Sequence, residues 1–343
     1  MITLKEIAEL AGVSLGTVDR VLHNRGRVSR ENVERVLRIA RENGYVPNQL
    51  ARRLQRGQRF RFGVVIPDTA TEYGYWAQIA GGIEDARNEI ASMEADVAYF
   101  FFDRHKEGSF TEAVSALFSS PVDAWVVAPI AAGEMRQAAL MYPDVPYAFI
   151  DSSLPDLNPL WDFAQDPVAA GQTAARLMSL AFPEVKSIIT FQSDEGAFNG
   201  EMRASAFAEA FRSFRPEANI INLYADGPEE IRQKIRESIS DDEFPFGLFA
   251  VNDQASVVCD LLEESLLKRA RIIGFDLSDA NREHLIKGDI FAIIGQRPRA
   301  QGHDAVIAMY NHFAISSQTA GINLSAPVDI YIKENIPESS HWL

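Results

Sequence analysis

Thr3-Leu4-Lys5-Glu6-Ile7-Ala8-Glu9-Leu10-Ala11-Gly12-Val13-Ser14-Leu15-Gly16-Thr17-Val18-Asp19-Arg20-Val21-Leu22 is the stretch that decides how this chain begins. Thr3 and Glu6 have capping-box spacing, so a helix is predicted to start there. Ile7, Leu10 and Ala11 then repeat on one face. Gly12 suits a tight turn, and Ser14 can cap a second helix through Leu22. Ser29 can cap a third, with Val33, Val36, Leu37 and Ala40 inward and Gly44 as a left-handed stop. Helix, glycine-containing turn and helix make a helix-turn-helix, although a plain helical bundle shares that pattern.

Charge separates this head from the rest of the chain. Residues 1–61 hold 13 Lys+Arg and 6 Asp+Glu, a balance of 13 − 6 = +7. The remainder holds 33 − 13 = 20 basic and 48 − 6 = 42 acidic residues, or −22. A basic head on an acidic body suits phosphate contact by the head alone. A recognition helix presents its N-terminal residues to base edges in the major groove. Here these are Leu15, Gly16 and Thr17, with Arg20 one turn on. Leu15 can touch a thymine methyl, Gly16 permits close approach, and Arg20 can pair with guanine or phosphate. Asn48 can cap a short segment closed by Gly57, with Leu50 and Leu54 on one face. That segment is too short to be a stable helix alone, so it needs a partner helix or a DNA groove to order it; otherwise it is a linker.

The chain has 343 residues, 47% hydrophobic and 24% charged, which suits two or three ordinary globular domains. Cys259 is the sole cysteine, so no internal disulfide can form and a reducing compartment is expected. No basic leader followed by an apolar run opens the chain, and no run of about 18 apolar residues spans a membrane.

From Arg61 short apolar runs alternate with helical patterns. The strands are predicted at 62–66, 97–102, 124–128, 147–150, 187–191, 219–224, 247–251, 271–275 and 290–294. Helices are predicted at 75–91, 110–118, 133–141, 167–182, 200–214, 228–240, 253–267 and 279–287. That alternation implies parallel sheets covered on both faces. A polar stretch at 152–159 divides it into two βαβ stacks with a cleft between them. Ligands in such folds lie at the carboxyl ends of strands. Asp68, Asp151, Asn252, Asp253, Asp276 and Gln296 stand there. Each has a plainer reading: Asp253 as a helix cap, Asp276 as a turn residue. Trp76 could equally be core, and Arg203 a surface helix residue.

The head resembles the lactose-repressor (LacI/GalR) family of bacterial transcription regulators. The resemblance rests on residues 3–14, Thr17-Val18-Asp19-Arg20-Val21-Leu22, Val28-Ser29, Gly44-Tyr45-Val46-Pro47-Asn48 and Ala51-Arg52-Arg53-Leu54. It implies a homodimer whose hinge helices pair over a near-palindromic double-stranded operator, with Leu54 wedged into the minor groove. By that resemblance Thr3, Ser14, Leu15, Gly16, Thr17, Arg20, Arg27, Asn48, Ala51 and Leu54 are the DNA-binding residues. Asp19 departs from the family pattern, in which serine is frequent there.

The body resembles the ribose-binding-protein-like core of the same family and of periplasmic sugar receptors. It does so through Tyr75-Trp76, Gly81-Gly82-Ile83, Phe149-Ile150-Asp151, Met202-Arg203 before Phe207, Val251-Asn252-Asp253, Ile273-Gly274-Phe275-Asp276 and Gly295-Gln296. The resemblance implies ligand-binding roles for Tyr75, Trp76, Asp151, Arg203, Asn252, Asp276 and Gln296. Aromatic plates and polar groups of this kind suit a polyol. It also implies a late crossover near 298–317 back to the first lobe. Sugar receptors often carry Asp-Arg where this chain has Asp151-Ser152-Ser153, which leaves the sugar unnamed.

The expected architecture is therefore an all-α helix-turn-helix domain (1–46), a hinge helix and linker (47–60), and a two-lobed α/β domain with parallel sheets (61–343). Lobe 1 covers about 61–160 and 295–322, lobe 2 about 161–294 and 323–343. The expected function is a cytoplasmic repressor of carbohydrate genes, answering to a sugar or related small molecule. No cofactor, metal or membrane partner is expected. The six histidines lack metal-ligand spacing, and P-loop, G-x-S-x-G and G-x-G-x-x-G motifs are absent. A ligand receptor with a vestigial head and an α/β enzyme with a basic accessory domain are the alternatives. After Ile332 no heptad appears and Pro337 would interrupt one, so a dimer is expected rather than a coiled-coil tetramer.

Overall fold

The computed structural model describes residues 4–22, 28–43, 59–69, 74–93, 95–193, 198–239, 245–315 and 325–337. The chain divides into two units, one holding the N-terminal helices and the other both sheets.

In the head, α1 (Leu4–Ala11), α2 (Leu15–Leu22) and α3 (Arg30–Glu42) enclose a small core. Ile7, Ala8, Ala11, Val18, Val21, Val36 and Ala40 are buried in it. The turn between α1 and α2 depends on Gly12, whose φ of +62° suits glycine. Ser14 caps α2 by accepting from the Thr17 amide at 3.1 Å. Arg35 donates across to the Ala11 carbonyl at 3.3 Å, tying α3 to α1. Thr3 and Gly44, expected at the ends of this bundle, lie outside the described residues.

The second unit begins with β1 (Phe60–Pro67), α4 (Tyr75–Ile90), β2 (Ala95–Phe102) and α5 (Ser109–Leu117). Then come β3 (Ala124–Val127), α6 (Ala132–Met141), β4 (Tyr147–Phe149) and β5 (Trp161–Asp162). These strands form one parallel sheet in the order β2-β1-β3-β4-β5. β1 lies inside the sheet between β2 and β3 and is nearly all buried, which explains the apolar run at 62–66.

A second sheet follows. It is built from β6 (Ser187–Gln192), β7 (Asn219–Tyr224), β8 (Phe246–Ala250), β9 (Ala270–Phe275), β10 (Ile290–Gly295) and β11 (Asp329–Tyr331). The order is β11-β10-β9-β8-β6-β7, parallel except for β11 at the edge. Its helices are α7 (Pro167–Ala181), α8 (Phe198–Phe214), α9 (Pro228–Glu237), α10 (Ala255–Leu261), α11 (Glu264–Leu267) and α12 (Asp279–Lys287). α13 (Pro298–Ile315) returns to the first sheet's side and packs on α4. The approach is close: a Cβ on Gly82 would lie 1.8 Å from the Arg299 carbonyl oxygen.

Three elements differ from the sequence reading. The helix expected over 253–267 breaks in two because Leu262 and Glu263 are extended, with ψ of 139° and 143°. The break turns Leu262 into the core, while Glu263 pairs with Arg236 at 2.9 Å. β5 was not anticipated. It pairs with β4 in the register Ala148↔Trp161, so the first lobe runs past residue 160. β11 was also missed, being three residues long.

The chain crosses between the sheets at 163–166, 295–297 and 325–328, and one buried amide joins all three crossings. Gln165 Nε2 donates to the carbonyls of Gly295 at 2.8 Å and Pro327 at 2.6 Å.

Candidate functional site

In the head, α2 turns an apolar face inward and leaves its N-terminal residues outward. Leu15 is 52% exposed at the start of α2. Gly16 and Arg20 are exposed, and Thr17 is half-buried. A Cβ on Gly16 would meet nothing closer than 3.8 Å, so the fold of the head does not require glycine there. Thr3, Arg27, Asn48, Ala51 and Leu54 lie outside the described residues.

In the second unit a cavity of about 680 Å³ opens where the carboxyl ends of both sheets converge. Tyr75, Trp76, Asp151, Arg203, Asn252, Asp276 and Gln296 all line it. Strand ends supply the polar groups: Asp151 follows β4, Asn252 follows β8, Asp276 follows β9 and Gln296 follows β10. Helix starts supply the rest, with Tyr75 and Trp76 opening α4 and Arg203 in the second turn of α8.

The floor is a linked set of buried side chains. Arg203, 4% exposed, donates from Nη1 to the Val251 carbonyl at 3.1 Å and from Nη2 to Gln296 Oε1 at 3.4 Å. Its guanidinium lies 3.7 Å from the centre of the Phe275 ring. Gln296 Nε2 in turn donates to both carboxylate oxygens of Asp276, at 3.1 and 3.2 Å. Arg203 is therefore not a surface helix residue.

Backbone strain is gathered at the same place. Asp151, Asp276 and Arg297 are the non-glycine residues with positive φ among the described residues, at +64°, +58° and +51°. Aspartate tolerates that region better than most residues. The turn reading of Asp276 and its place in the cavity thus hold together. Asn281, fully buried, secures the turn: its Nδ2 lies 2.8–3.1 Å from the carbonyls of Asp253, Phe275 and Asp276. Gln254, rather than Asp253, stands at the N-cap position of α10.

Burial governs the electrostatics. It raises the Asp276 carboxyl well above the usual carboxylate range, against the pull of the Arg203 charge. Burial also lowers the Arg203 guanidinium from its ordinary value, with Asp276 and Asp151 opposing the shift. The Tyr75 hydroxyl is pushed well above its normal value by burial first, then by Asp151 and Asp276.

Several cavity residues were not anticipated. Gln192 ends β6, one residue beyond the expected strand. Phe198, Asn199 and Gly200 open α8, which starts two residues earlier than expected. Phe198 is 49% exposed. Asn199 donates to Ser152 Oγ at 2.8 Å and to the Asp151 carbonyl at 3.0 Å, linking the two lobes across the cavity. A glutamine at a strand end was the available signal for Gln192. Among the described residues no group of three or more His, Cys, Asp or Glu side chains is placed to hold a metal ion. No described helix is long and apolar enough to cross a membrane.

These features define a class, a helix-turn-helix head joined to a cleft-bearing, two-sheet α/β domain. Residues 3–48 match the family of bacterial regulatory proteins, lacI family, and residues 62–315 match the periplasmic binding protein domain. The chain belongs to the lacI family of bacterial regulatory proteins, with a periplasmic-binding-protein domain following the head. The HTH-type transcriptional regulator DegA of Bacillus subtilis (strain 168) is 27% identical over 290 residues, 80% of this chain and 81% of that protein. The sucrose operon repressor of Klebsiella pneumoniae is 48% identical over 77 residues, 22% of this chain and 23% of that protein. A solved complex of the transcriptional regulator CelR with cellobiose superposes with a TM-score of 0.60 at 18% identity. It covers 97% of this chain and 99% of that one, a likeness of fold.

Proposed function

We propose that this protein is a ligand-responsive transcription regulator, a repressor of carbohydrate genes that binds double-stranded operator DNA and a sugar or related metabolite. The observation that carries the ligand half is the cavity at the joined strand ends, with its aromatic wall and hydrogen-bonded Arg203–Gln296–Asp276 floor. Tyr75, Trp76, Asp151, Arg203, Asn252, Asp276 and Gln296 are the proposed ligand contacts. Exposed Leu15, Gly16 and Arg20 on α2 support the DNA half, with Ser14 and Thr17 beside them. Thr3, Arg27, Asn48, Ala51 and Leu54 are proposed contacts from the family resemblance.

Residues 1–46 form the proposed DNA-binding domain, 47–60 the hinge and 61–343 the ligand-binding domain. Closure of the two lobes on the metabolite changes the competence of the hinge and thereby operator affinity. The protein works as a cytoplasmic homodimer and regulates rather than catalyses. A mobility-shift assay with the gene's own upstream region, with and without sugars, tests this reading. Specific retardation altered by a sugar is the expected result. No specific complex under any condition overturns it. Light scattering tests the dimer.

A further inference from the structure

Gln192 stands out among the cavity residues because, among the described residues, nothing in the fold uses its amide. It is 4% exposed, it lines the cavity, and among the described residues neither Oε1 nor Nε2 has a hydrogen-bond partner. A buried amide left unpaired costs stability, and replacing it by an apolar group of the same shape should be neutral or favourable. The other buried amides of this region behave differently. Gln165, Gln296, Gln301 and Asn281 each donate to backbone or side-chain acceptors. The surroundings also keep room for the Gln192 side chain. A Cβ on Gly200 would lie 2.2 Å from Gln192 Oε1, so the glycine lets the carboxamide lie against the first turn of α8 in its present position. Nearby, Asn252 Oδ1 is buried in the same cavity and likewise unpartnered among the described residues.

We propose that Gln192 is a specificity-determining ligand contact, whose carboxamide takes two adjacent hydroxyls of a neutral polyol, accepting from one at Oε1 and donating to the other from Nε2. The inference rests on the reading of this cavity as the ligand site. An amide presents a donor and an acceptor side by side, which matches a vicinal diol and mismatches a ligand lacking either hydroxyl. A site built to bond a hydroxyl rejects the analogue without it, because its own polar groups are then left unpaired.

The test uses the full-length protein as wild type, Gln192→Met and Arg203→Ala. Thermal-shift measurements are made without ligand and with D-ribose, D-glucose, D-galactose, D-mannose, D-allose and myo-inositol. Titration calorimetry follows for any sugar that binds, together with its monodeoxy analogues. Without ligand, Gln192→Met is expected to melt no lower than wild type. Its affinity for the bound sugar is expected to fall at least about tenfold. Removing one hydroxyl of an adjacent pair is expected to weaken wild type about tenfold and Gln192→Met less than about twofold, the mark of coupled partners. A lower melting temperature for unliganded Gln192→Met makes the residue structural and overturns the proposal. So does undiminished sugar affinity in Gln192→Met, which leaves the sugar reading standing if Arg203→Ala abolishes binding. Wild type that responds to none of these compounds overturns the sugar reading and the proposal with it.

Discussion

Gln301 Oε1 accepts from the backbone N–H of Asp151 at 2.8 Å. Nε2 of the same side chain donates to the Gln296 carbonyl at 2.8 Å, so one buried amide on α13 joins the strand-end turns of both sheets. Asp151 sits there in a left-handed conformation that the bond helps to hold. Gln301→Leu removes both bonds and leaves two backbone groups unpaired. A loss of about 2 kcal/mol or more is expected, read by chemical denaturation. A neutral outcome would show that the turn holds itself.

Substitution at Gly16 would separate folding from the proposed DNA reading. A Cβ there meets nothing within 3.8 Å, and alanine is favoured over glycine in a helix by up to about 1 kcal/mol. Gly16→Ala should therefore stabilise the head while changing operator affinity in mobility-shift titrations. Unchanged DNA binding would remove Gly16 from the reading surface.

The α4–α13 contact gives a contrast between two glycines. Gly82→Ala drives a Cβ into the Arg299 carbonyl and should cost about 3 kcal/mol or more. At Gly133, near the start of α6, an added methyl would have nothing within 4 Å, and Gly133→Ala should be harmless. Melting temperatures of the two variants check the pair; equal shifts would contradict the packing.

His303 supplies a pH dependence. Partial burial pulls its pKa down, but hydrogen bonds to Asp304 and Glu89 outweigh that and raise it above 6.5. A raised folded-state pKa means that the added stability is full below the unfolded pKa and is lost as pH rises through the folded one. Wild type should exceed His303→Gln at pH 5.5, by less than about 1 kcal/mol because the pair is partly exposed, with the difference shrinking by pH 9. A pH-independent difference would assign His303 a packing role instead.

Local rules made much of this protein readable in advance. Ser14 capping, the Gly12 turn and the burial of Ile7 and Ala11 follow from spacing along one helix or turn, whereas Leu10, expected on the same face, is 60% exposed. The alternation of apolar runs and helical patterns likewise announced parallel sheets, because a strand buried on both faces must be apolar throughout. Strand-end position singled out Asp68, which does not line the cavity, together with Asp151, Asn252, Asp253, Asp276 and Gln296, which do. Tertiary structure alone decided that these ends share one cavity, since convergence depends on strand order and on where the chain crosses between sheets. It also decided which amides are spent on the fold, as Gln165 and Gln301 are, and which face the cavity with no partner among the described residues, as Gln192 does. Glutamines are chemically identical in a sequence, and the partners that distinguish these lie 130 and 150 residues away for Gln165 and Gln301. Hydrogen-bond satisfaction at that separation is a property of the packed chain and leaves no local pattern to read.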